Sequence, residues 1–197
     1  MSKKKALFIV ILLLFLDQAL KIFIKTHFYL GETYYIADWF QILFVENRGM
    51  AFGIEPGGTL GKYMLTFLRI IAVIAIGYWL YKAIVTKQKI LALALSFIFA
   101  GAIGNIIDSV FYGKIFSGSF HKPAILFPPE GGYADWFQGK VVDMFYFPFF
   151  EIHFPDWIPF IGGSSYTFFN AIFNLADAYI TIGVIIIILF NKRIFGK

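Results

Sequence analysis

Cysteine is absent from the 197 residues, and its absence excludes three kinds of chemistry. The chain cannot form a disulfide, use a thiolate nucleophile or bind a metal through cysteine. The three histidines, His27, His121 and His153, are scattered and show no metal-binding spacing. The sequence also lacks the glycine-rich phosphate loop and the G-x-S-x-G elbow of many hydrolases. We therefore expect no metal and no cofactor.

Charged residues are scarce as well, at 15% of the chain, whereas 59% of residues are hydrophobic and 26 are Phe. This composition is far too apolar for a soluble domain and predicts an integral membrane protein. The net charge of +5 does not indicate nucleic-acid binding, because the lysines and arginines flank apolar segments and form no aromatic-interleaved basic stripe. We expect contact with membrane lipid and none with nucleic acid.

Four apolar segments predict an all-α membrane protein with four transmembrane helices. Each segment is close to the ~20 residues that are needed to cross a bilayer. The approximate bounds of these spans are 6–24, 63–81, 90–107 and 166–190.

Lysine and arginine are concentrated at the N-terminus, in the 82–89 connection and at the C-terminus. The positive-inside rule then predicts that both termini are cytoplasmic. The loops at about 26–62 and 108–165 lie outside, and their aromatic and β-branched residues predict a small extracytoplasmic β-rich region. No larger internal repeat is visible, so we predict one membrane-embedded domain over residues 1–197.

Aspartates are retained in these apolar surroundings, where ionisable groups are costly and usually mark a working site. Asn105-Ile-Ile-Asp108 and Asn174-Leu-Ala-Asp177 repeat an N-x-x-D pattern, which places Asn and Asp on one helix face. Asp143 lies between the two motifs in the chain. The predicted topology places Asp17, Asp108 and Asp177 near the outer halves of their spans.

Asp143 and Asp177 can be interpreted as an aspartyl pair that shares a proton. One carboxylate would deprotonate a water while the other protonates the carbonyl or the leaving amine. Alternatively, Asp177 caps or pairs within the bundle and Asp143 is a loop carboxylate, and spacing alone supports both interpretations equally. Arg69, inside the second span, can snorkel outward or pair with these aspartates, and we favour snorkelling.

Two other classes of protein fit the same composition. A small transporter or channel would also keep intramembrane carboxylates, although it would favour internal repeats and unwound spans that the sequence does not show. A non-catalytic assembly or lipid-binding factor would tolerate the loss of Asp143 and Asp177.

Five motifs in chain order resemble the signature regions of lipoprotein signal peptidase (signal peptidase II). Each motif alone is unspecific, but five in order are very specific, and the resemblance covers the whole chain. The motifs are Asp17-Gln-x-x-Lys21, Asn47-x-Gly49-x-Ala51-Phe52, Gly104-Asn105-x-x-Asp108, Val141-Val142-Asp143 and Phe173-Asn174-x-Ala176-Asp177.

The resemblance implies an aspartic endopeptidase of the bacterial inner membrane, with its active site near the outer face. Such an enzyme removes the signal peptide from diacylglyceryl-modified prolipoproteins and cuts before the lipidated Cys. The lipidated prolipoprotein is then the expected substrate, the activated water needs no metal, and we expect a monomer.

The resemblance also implies roles for individual residues. The catalytic pair corresponds to Asp143 and Asp177. The chain departs from the family pattern at Ser109, where Arg is usual, at Met50, where a small residue is common, and in longer outer loops over 111–140 and 145–167. The residues that bind substrate or support the pair correspond to Asp17, Lys21, Asn47, Gly49, Asn105, Asp108, Asn174 and Ala176.

Overall fold

The computed structural model describes residues 1–49 and 58–196. Three helices in this part are long and apolar enough to cross a membrane, and they include the segments predicted at 6–24, 63–81 and 90–107. They extend beyond the predicted bounds because helical hydrogen bonding continues into the flanking polar residues. The helices are α1 (Lys3–His27), α2 (Gly58–Val85) and α3 (Lys89–Ile107), and α3 continues through a π-helical segment (Asp108–Tyr112) into the short α4 (Gly113–Ile115).

Six short strands in the described residues form two antiparallel sheets, which confirms the prediction of a small β-rich region in a mostly helical protein. The strands are β1 (Thr33–Ala37), β2 (Phe40–Asn47), β3 (Val141–Tyr146), β4 (Phe150–His153), β5 (Ser165–Phe168) and β6 (Ile172–Phe173). The larger sheet has the order β1-β2-β3-β6, whereas β4 and β5 form a separate hairpin.

The pairing of β2 with β3 decides which side chains share a face of the larger sheet. Glu46 lies opposite Val142, and Val45 lies opposite Asp143. Paired residues point to the same face and successive residues alternate. The side chains of Glu46 and Asp143 therefore point to opposite faces.

The fourth predicted span, 166–190, is wrong as a single helix. Its first part contains β5 and β6, and helix α5 covers Leu175–Leu189, followed by the short α6 (Asn191–Phe195). A helix of 15 residues is about 22 Å long, which is less than the ~30 Å hydrocarbon core. The aromatic residues before Asn174 raise the hydropathy of the segment, but aromatic residues favour strands.

Asn174 marks the start of α5 through a capping box. Its side-chain oxygen accepts a hydrogen bond from the backbone N–H of Asp177 at 3.0 Å, and the Asp177 carboxylate accepts one from the Asn174 N–H at 3.4 Å. This reciprocal pair satisfies two of the backbone donors that a helix leaves open at its N-terminus. The helix is therefore capped by a residue that also carries one of the predicted site amides.

Two apolar clusters lie at different ends of the helices. Met1 and Ile194 pack with the buried Leu80 in one cluster, so the start of α1, the end of α2 and the segment after α5 share one end. The other cluster joins Ile24 near the end of α1 to Val142 in β3. The larger sheet consequently covers the ends of α1 and α3 that lie away from the α2–α3 connection.

Helix α3 contacts α1, α2 and α5, and its contact with α5 requires glycine. A Cβ on Gly101 would lie 2.2 Å from the Ala176 carbonyl oxygen, and one on Gly183 would lie 2.6 Å from the Ala94 carbonyl oxygen. Small residues allow helix backbones to approach this closely. The packing fixes the first turn of α5 directly against α3.

Candidate active site

Asp17, Lys21 and Asp108 form a buried ion cluster where α1 meets α3. Lys21 Nζ lies 3.1 Å from Asp17 Oδ2 and 2.8 Å from Asp108 Oδ2, and it donates a hydrogen bond to Asn105 Oδ1 at 2.9 Å. These three acceptors match the three N–H donors of an ammonium group. The three charged side chains are 0–1% exposed, so their mutual pairing is what makes their burial tolerable.

The two carboxylates of this cluster also bind the backbone beside the candidate catalytic aspartates. Asp17 Oδ1 accepts a hydrogen bond from the N–H of Ala176 at 3.0 Å, and Asp108 Oδ2 accepts one from the N–H of Val142 at 3.2 Å. Each of these backbone donors belongs to the residue immediately before a candidate catalytic aspartate. The ion cluster thus sets the relative position of the two segments that carry the pair.

Asp143 and Asp177 are linked through two side-chain amides. Asn174 Nδ2 donates to Asp143 Oδ1 at 2.6 Å and to Asn105 Oδ1 at 3.2 Å. Asn105 Nδ2 donates to Asp177 Oδ1 at 2.8 Å. A continuous chain of hydrogen bonds therefore runs from one carboxylate to the other, and it joins residues from β3, α3 and the start of α5.

The two aspartates differ in their access to water. Asp143 is 4% exposed, whereas Asp177 is partly exposed at the start of α5. Burial and the negative charge of Asp177 raise the pKa of Asp143 to about 7, against the lowering effects of hydrogen bonds from Asn174 and Asn47 and of the charge on Lys21. A carboxyl group that titrates near neutrality can act as an acid or a base at working pH.

The Asn47–Gly49 segment borders Asp143. Asn47 hydrogen-bonds Asp143, and its Oδ1 accepts a hydrogen bond from the Gly49 N–H at 2.7 Å. Gly49 has a φ of +96°, which favours glycine, and its carbonyl oxygen accepts a hydrogen bond from Arg69 Nη2 at 2.6 Å. The sequence favours snorkelling for Arg69, whereas the structure places its guanidinium against this motif. Met50, Ala51 and Phe52 lie outside the described residues.

A second ion cluster, on the other face of β2 and β3, was not predicted. The Glu46 carboxylate contacts Lys25 Nζ through one oxygen and Lys140 Nζ through the other, the latter at 2.9 Å. Burial alone would raise the pKa of Glu46, but the charges and hydrogen bonds of Lys25 and Lys140 outweigh burial and hold this pKa below its usual range. The available signal was the four-residue spacing from Asp17 to Lys21 and from Lys21 to Lys25, which places all three on one face of α1.

Gln18 is another site residue that the sequence analysis did not select. Its Nε2 donates at 3.1 Å to Asp17 Oδ2 and at 3.1 Å to Asp108 Oδ1, and its Oε1 accepts from the Tyr112 hydroxyl at 3.2 Å. The sequence signal that could have identified Gln18 was its position directly after Asp17 in the first motif. Gln18 adds neutral donors to two carboxylates that share a single lysine.

Ser109, where the resembling family usually has Arg, lies close to a cation from another helix. Its hydroxyl donates to the Asn105 carbonyl oxygen at 3.0 Å, and Lys62 Nζ lies 3.5 Å from the same hydroxyl. Lys62 also donates to the Arg48 carbonyl oxygen at 2.8 Å. Helix α2 therefore brings positive charge to this edge of the site.

Within residues 1–49 and 58–196, no three side chains of His, Asp or Glu are grouped as they would be around a metal ion. The site is instead built from carboxylates, amides and lysine ammonium groups. The expectation that catalysis needs no metal stays a prediction.

Comparisons with known proteins agree with the motifs. Residues 9–192 match the family described as signal peptidase (SPase) II. A lipoprotein signal peptidase from Porphyromonas gingivalis is 50% identical over 190 residues, which cover 94% of this chain and 81% of that protein. One from Amoebophilus asiaticus is 38% identical over 94% of this chain and 76% of its own length.

Two solved structures of a bacterial membrane enzyme have a similar fold. One is 26% identical with a TM-score of 0.62, and the match covers 95% of this chain and 92% of that one. The other is 24% identical with a TM-score of 0.61, and the match covers 99% of this chain and 92% of that one. The three long helices and the small sheet are thus compatible with a known membrane-enzyme architecture.

Proposed function

Because the chain belongs to the signal peptidase II family, we propose that it is a membrane aspartic endopeptidase that removes the signal peptide from diacylglyceryl-modified prolipoproteins. The cut falls immediately before the lipidated Cys of the substrate. Asp143 and Asp177 are the catalytic pair, and the observation that carries this assignment is their connection through Asn174 and Asn105.

The reaction is a general acid–base hydrolysis of the peptide bond. Asp177, which is partly exposed, removes a proton from a water, and the water oxygen attacks the scissile carbonyl carbon. Asp143, with its raised pKa, holds a proton and donates it to the carbonyl oxygen. When the C–N bond breaks, Asp177 gives its proton to the leaving nitrogen, and Asp143 takes one back from a hydroxyl group of the tetrahedral intermediate. The pair then again holds one proton on two carboxylates.

The surrounding residues keep this pair in position. Asn174 and Asn105 donate to the two carboxylates without adding charge, so the shared proton stays exchangeable. Asp17, Lys21 and Asp108 hold the backbone next to each aspartate. Positioning groups of this kind contribute because small displacements of reacting atoms are costly in rate.

The membrane orientation follows from charge and from the location of the sheet. The positive-inside rule supports cytoplasmic termini in the bacterial inner membrane, with the sheet and the catalytic pair at the outer face. The β4–β5 hairpin carries Trp157 and Phe160, which are 80% and 107% exposed. Exposed aromatic side chains are typical of membrane interfaces, so this hairpin lies on the outer lipid surface beside the substrate.

The test is cleavage of a synthetic precursor by the purified protein in nanodiscs. A precursor with a diacylglyceryl-modified Cys should be cut directly before that Cys, as mass spectrometry of the products would show. The same peptide with an unmodified Cys is the matched control and should remain intact. Activity should also survive EDTA. Cleavage of both peptides at the same rate, or loss of activity on chelation with recovery on adding one divalent metal, would contradict the proposal.

A further inference from the structure

Arg69 carries an N–H group that no described residue accepts. Nη2 donates to the Gly49 carbonyl oxygen at 2.6 Å, but the buried Nη1 has no hydrogen-bond partner among residues 1–49 and 58–196. Every other buried side-chain nitrogen or oxygen in this part of the chain has a hydrogen-bond partner. Burying a donor without an acceptor is unfavourable, and each such group in a native structure calls for an explanation.

The unpaired N–H group lies close to the catalytic pair. A Cβ on Gly49 would lie 2.6 Å from Nη1, so this nitrogen lies against the Gly49 backbone. Asn47, two residues earlier, hydrogen-bonds Asp143. Two residues of chain span at most about 7 Å, and the turn between Asn47 and Gly49 shortens this span, so Nη1 lies within about 7 Å of the contact with Asp143.

The charged groups around the guanidinium are carboxylates of the site. Asp177 acts on it most strongly, followed by Asp143 and Asp108. A cation at this position is attracted to the pair, yet its direct contact is with the Gly49 carbonyl oxygen. An additional neutral acceptor would complete its hydrogen bonding and leave its charge available to the carboxylates.

We propose that Arg69 Nη1 donates a hydrogen bond to a backbone carbonyl oxygen of the bound substrate, within about two residues of the scissile bond. The inference rests on the proposed function. A distance of up to about 7 Å corresponds to at most two residues of extended peptide, which limits the acceptor to the carbonyl groups next to the scissile one. A backbone carbonyl is also an acceptor that every substrate presents, whatever its side chains.

The geometry of a guanidinium group makes arginine specific for this task. Its planar fork can hold the Gly49 carbonyl oxygen with one nitrogen and present the other nitrogen to the substrate. A lysine ammonium on a flexible stem retains the charge but has no such fixed pair of donors. Arg69→Lys therefore separates the donor role from the charge.

The experiment is steady-state cleavage of the lipidated precursor by the wild type, Arg69→Lys and Arg69→Gln. Lys82→Gln, an exposed position near the other end of α2, is the matched control for loss of one cation. We expect KM to rise about 10-fold or more in both Arg69 variants, with kcat within about 3-fold, because a ground-state substrate contact is lost. A wild-type KM in both Arg69 variants, or a fall in kcat alone, would overturn the inference.

A second measurement locates the acceptor. Precursors carry a single thioamide one or two residues before or after the scissile bond, since sulfur is the weaker acceptor. At the correct position the thioamide should raise KM for the wild type but add little for Arg69→Gln, because both changes remove the same hydrogen bond. Additive effects at all four positions would show that Arg69 binds some other group, such as an ester carbonyl of the lipid, and would contradict the proposal.

The wild-type reaction distinguishes a failure of the proposed function from a failure of the role that we propose for Arg69. If the wild type does not cut the lipidated precursor, the proposed function and this inference both fail. If it cuts the precursor and the Arg69 variants keep the wild-type KM, only the role of Arg69 is refuted. Thermal melting of each variant checks the fold, and Arg69→Lys serves as the test if Arg69→Gln is unstable.

Discussion

Glu46 and Asp143 are carboxylates on neighbouring strands, and they point to opposite faces of one sheet. The side chain of Glu46 is 5% exposed, and the whole Asp143 residue is 4% exposed. Glu46 is bound by two lysines, and its pKa is lowered. Asp143 is bound by amides and lies near a second carboxylate, and its pKa rises to about 7.

The difference shows that burial alone does not decide the protonation state of a carboxyl group. Cationic partners keep a buried carboxylate permanently charged and make it a structural element. Neutral amide donors orient a carboxylate but leave its proton exchangeable, which is the property that acid–base catalysis needs. One sheet thus carries a structural carboxylate on one face and, on the other face, the carboxylate to which the proposed mechanism assigns proton transfer.

The largest expected effect is on turnover. Asp143→Asn and Asp177→Asn should each lower kcat by about 1000-fold or more, and the double variant should be no worse, because paired catalytic groups act as a unit. Glu46→Gln should keep kcat within about 3-fold if it folds. Cleavage kinetics with melting controls test this. Wild-type turnover by a folded Asp143→Asn protein would refute the pair.

Removing the charge of Glu46 should instead reduce stability. Glu46→Gln leaves Lys25 and Lys140 without their shared partner, and breaking a buried ion pair typically costs about 3–5 kcal/mol. Chemical unfolding in detergent measures the change. Glu151→Gln, whose side chain is 50% exposed, is the matched control and should shift stability by less than about 0.5 kcal/mol. Equal effects of the two substitutions would contradict a structural role for Glu46.

The two carboxyl groups should also give stability opposite dependences on pH. The folded-state pKa of Asp143, about 7, lies above its ordinary value of 3.8, so the unfolded chain releases this proton first and stability falls as pH rises between these values. The pKa of Glu46 is below 4.5 in the folded state, so its contribution is present above that value and is lost as pH falls through the folded-state pKa.

Melting at pH 5 and pH 8 tests this contrast. Asp143→Asn removes the titrating group at this position. The melting temperature of this variant should therefore exceed that of the wild type, and the difference should be larger at pH 8 than at pH 5. Glu46→Gln should lie below the wild type at both values. An Asp143→Asn protein that is less stable than the wild type at pH 8 would show that the Asp143 carboxylate is compensated in the fold after all.

The smallest expected effect comes from removing one amide donor of Asp143. A hydrogen bond to a charged group contributes about 1.5–3 kcal/mol, which is about 10- to 150-fold in rate if the bond is made mainly in the transition state. Asn174→Ala should lower kcat by this amount and also weaken the cap of α5. Asn174→Ser keeps a capping oxygen but has no Nδ2, so it should lose rate with less loss of stability. Full activity in Asn174→Ser would contradict the role of the amide.

The residues that could be predicted from sequence are those whose partners are local or whose motifs are specific. Asp17 and Lys21 are four residues apart on one helix, and the five motifs indicated which distant segments belong together. The contact of Lys140 with Glu46 joins residues 94 apart in sequence, and no spacing rule connects them. The contact of Arg69 with Gly49 is likewise tertiary, which is why hydropathy favoured snorkelling.

The fourth span shows a different limit. Hydropathy measures how apolar a segment is and does not distinguish a strand from a helix. The Phe-rich residues before Asn174 are apolar enough to resemble part of a transmembrane helix. Their ladder with β3, in which Phe173 pairs with Phe145, depends on a strand that lies far away in the sequence. The helix cap at Asn174 was the local signal for the true boundary.

The glycine-dependent packing of α5 against α3 has a consequence for biosynthesis. Asn174, Ala176 and Asp177 follow every other contributor to the site in chain order, so they are translated after the remainder of the site. Until α5 has been made and has docked at Gly101, the proposed mechanism has no counterpart for the Asp143 carboxylate. A chain whose synthesis stops before Asn174 is consequently expected to cut no precursor.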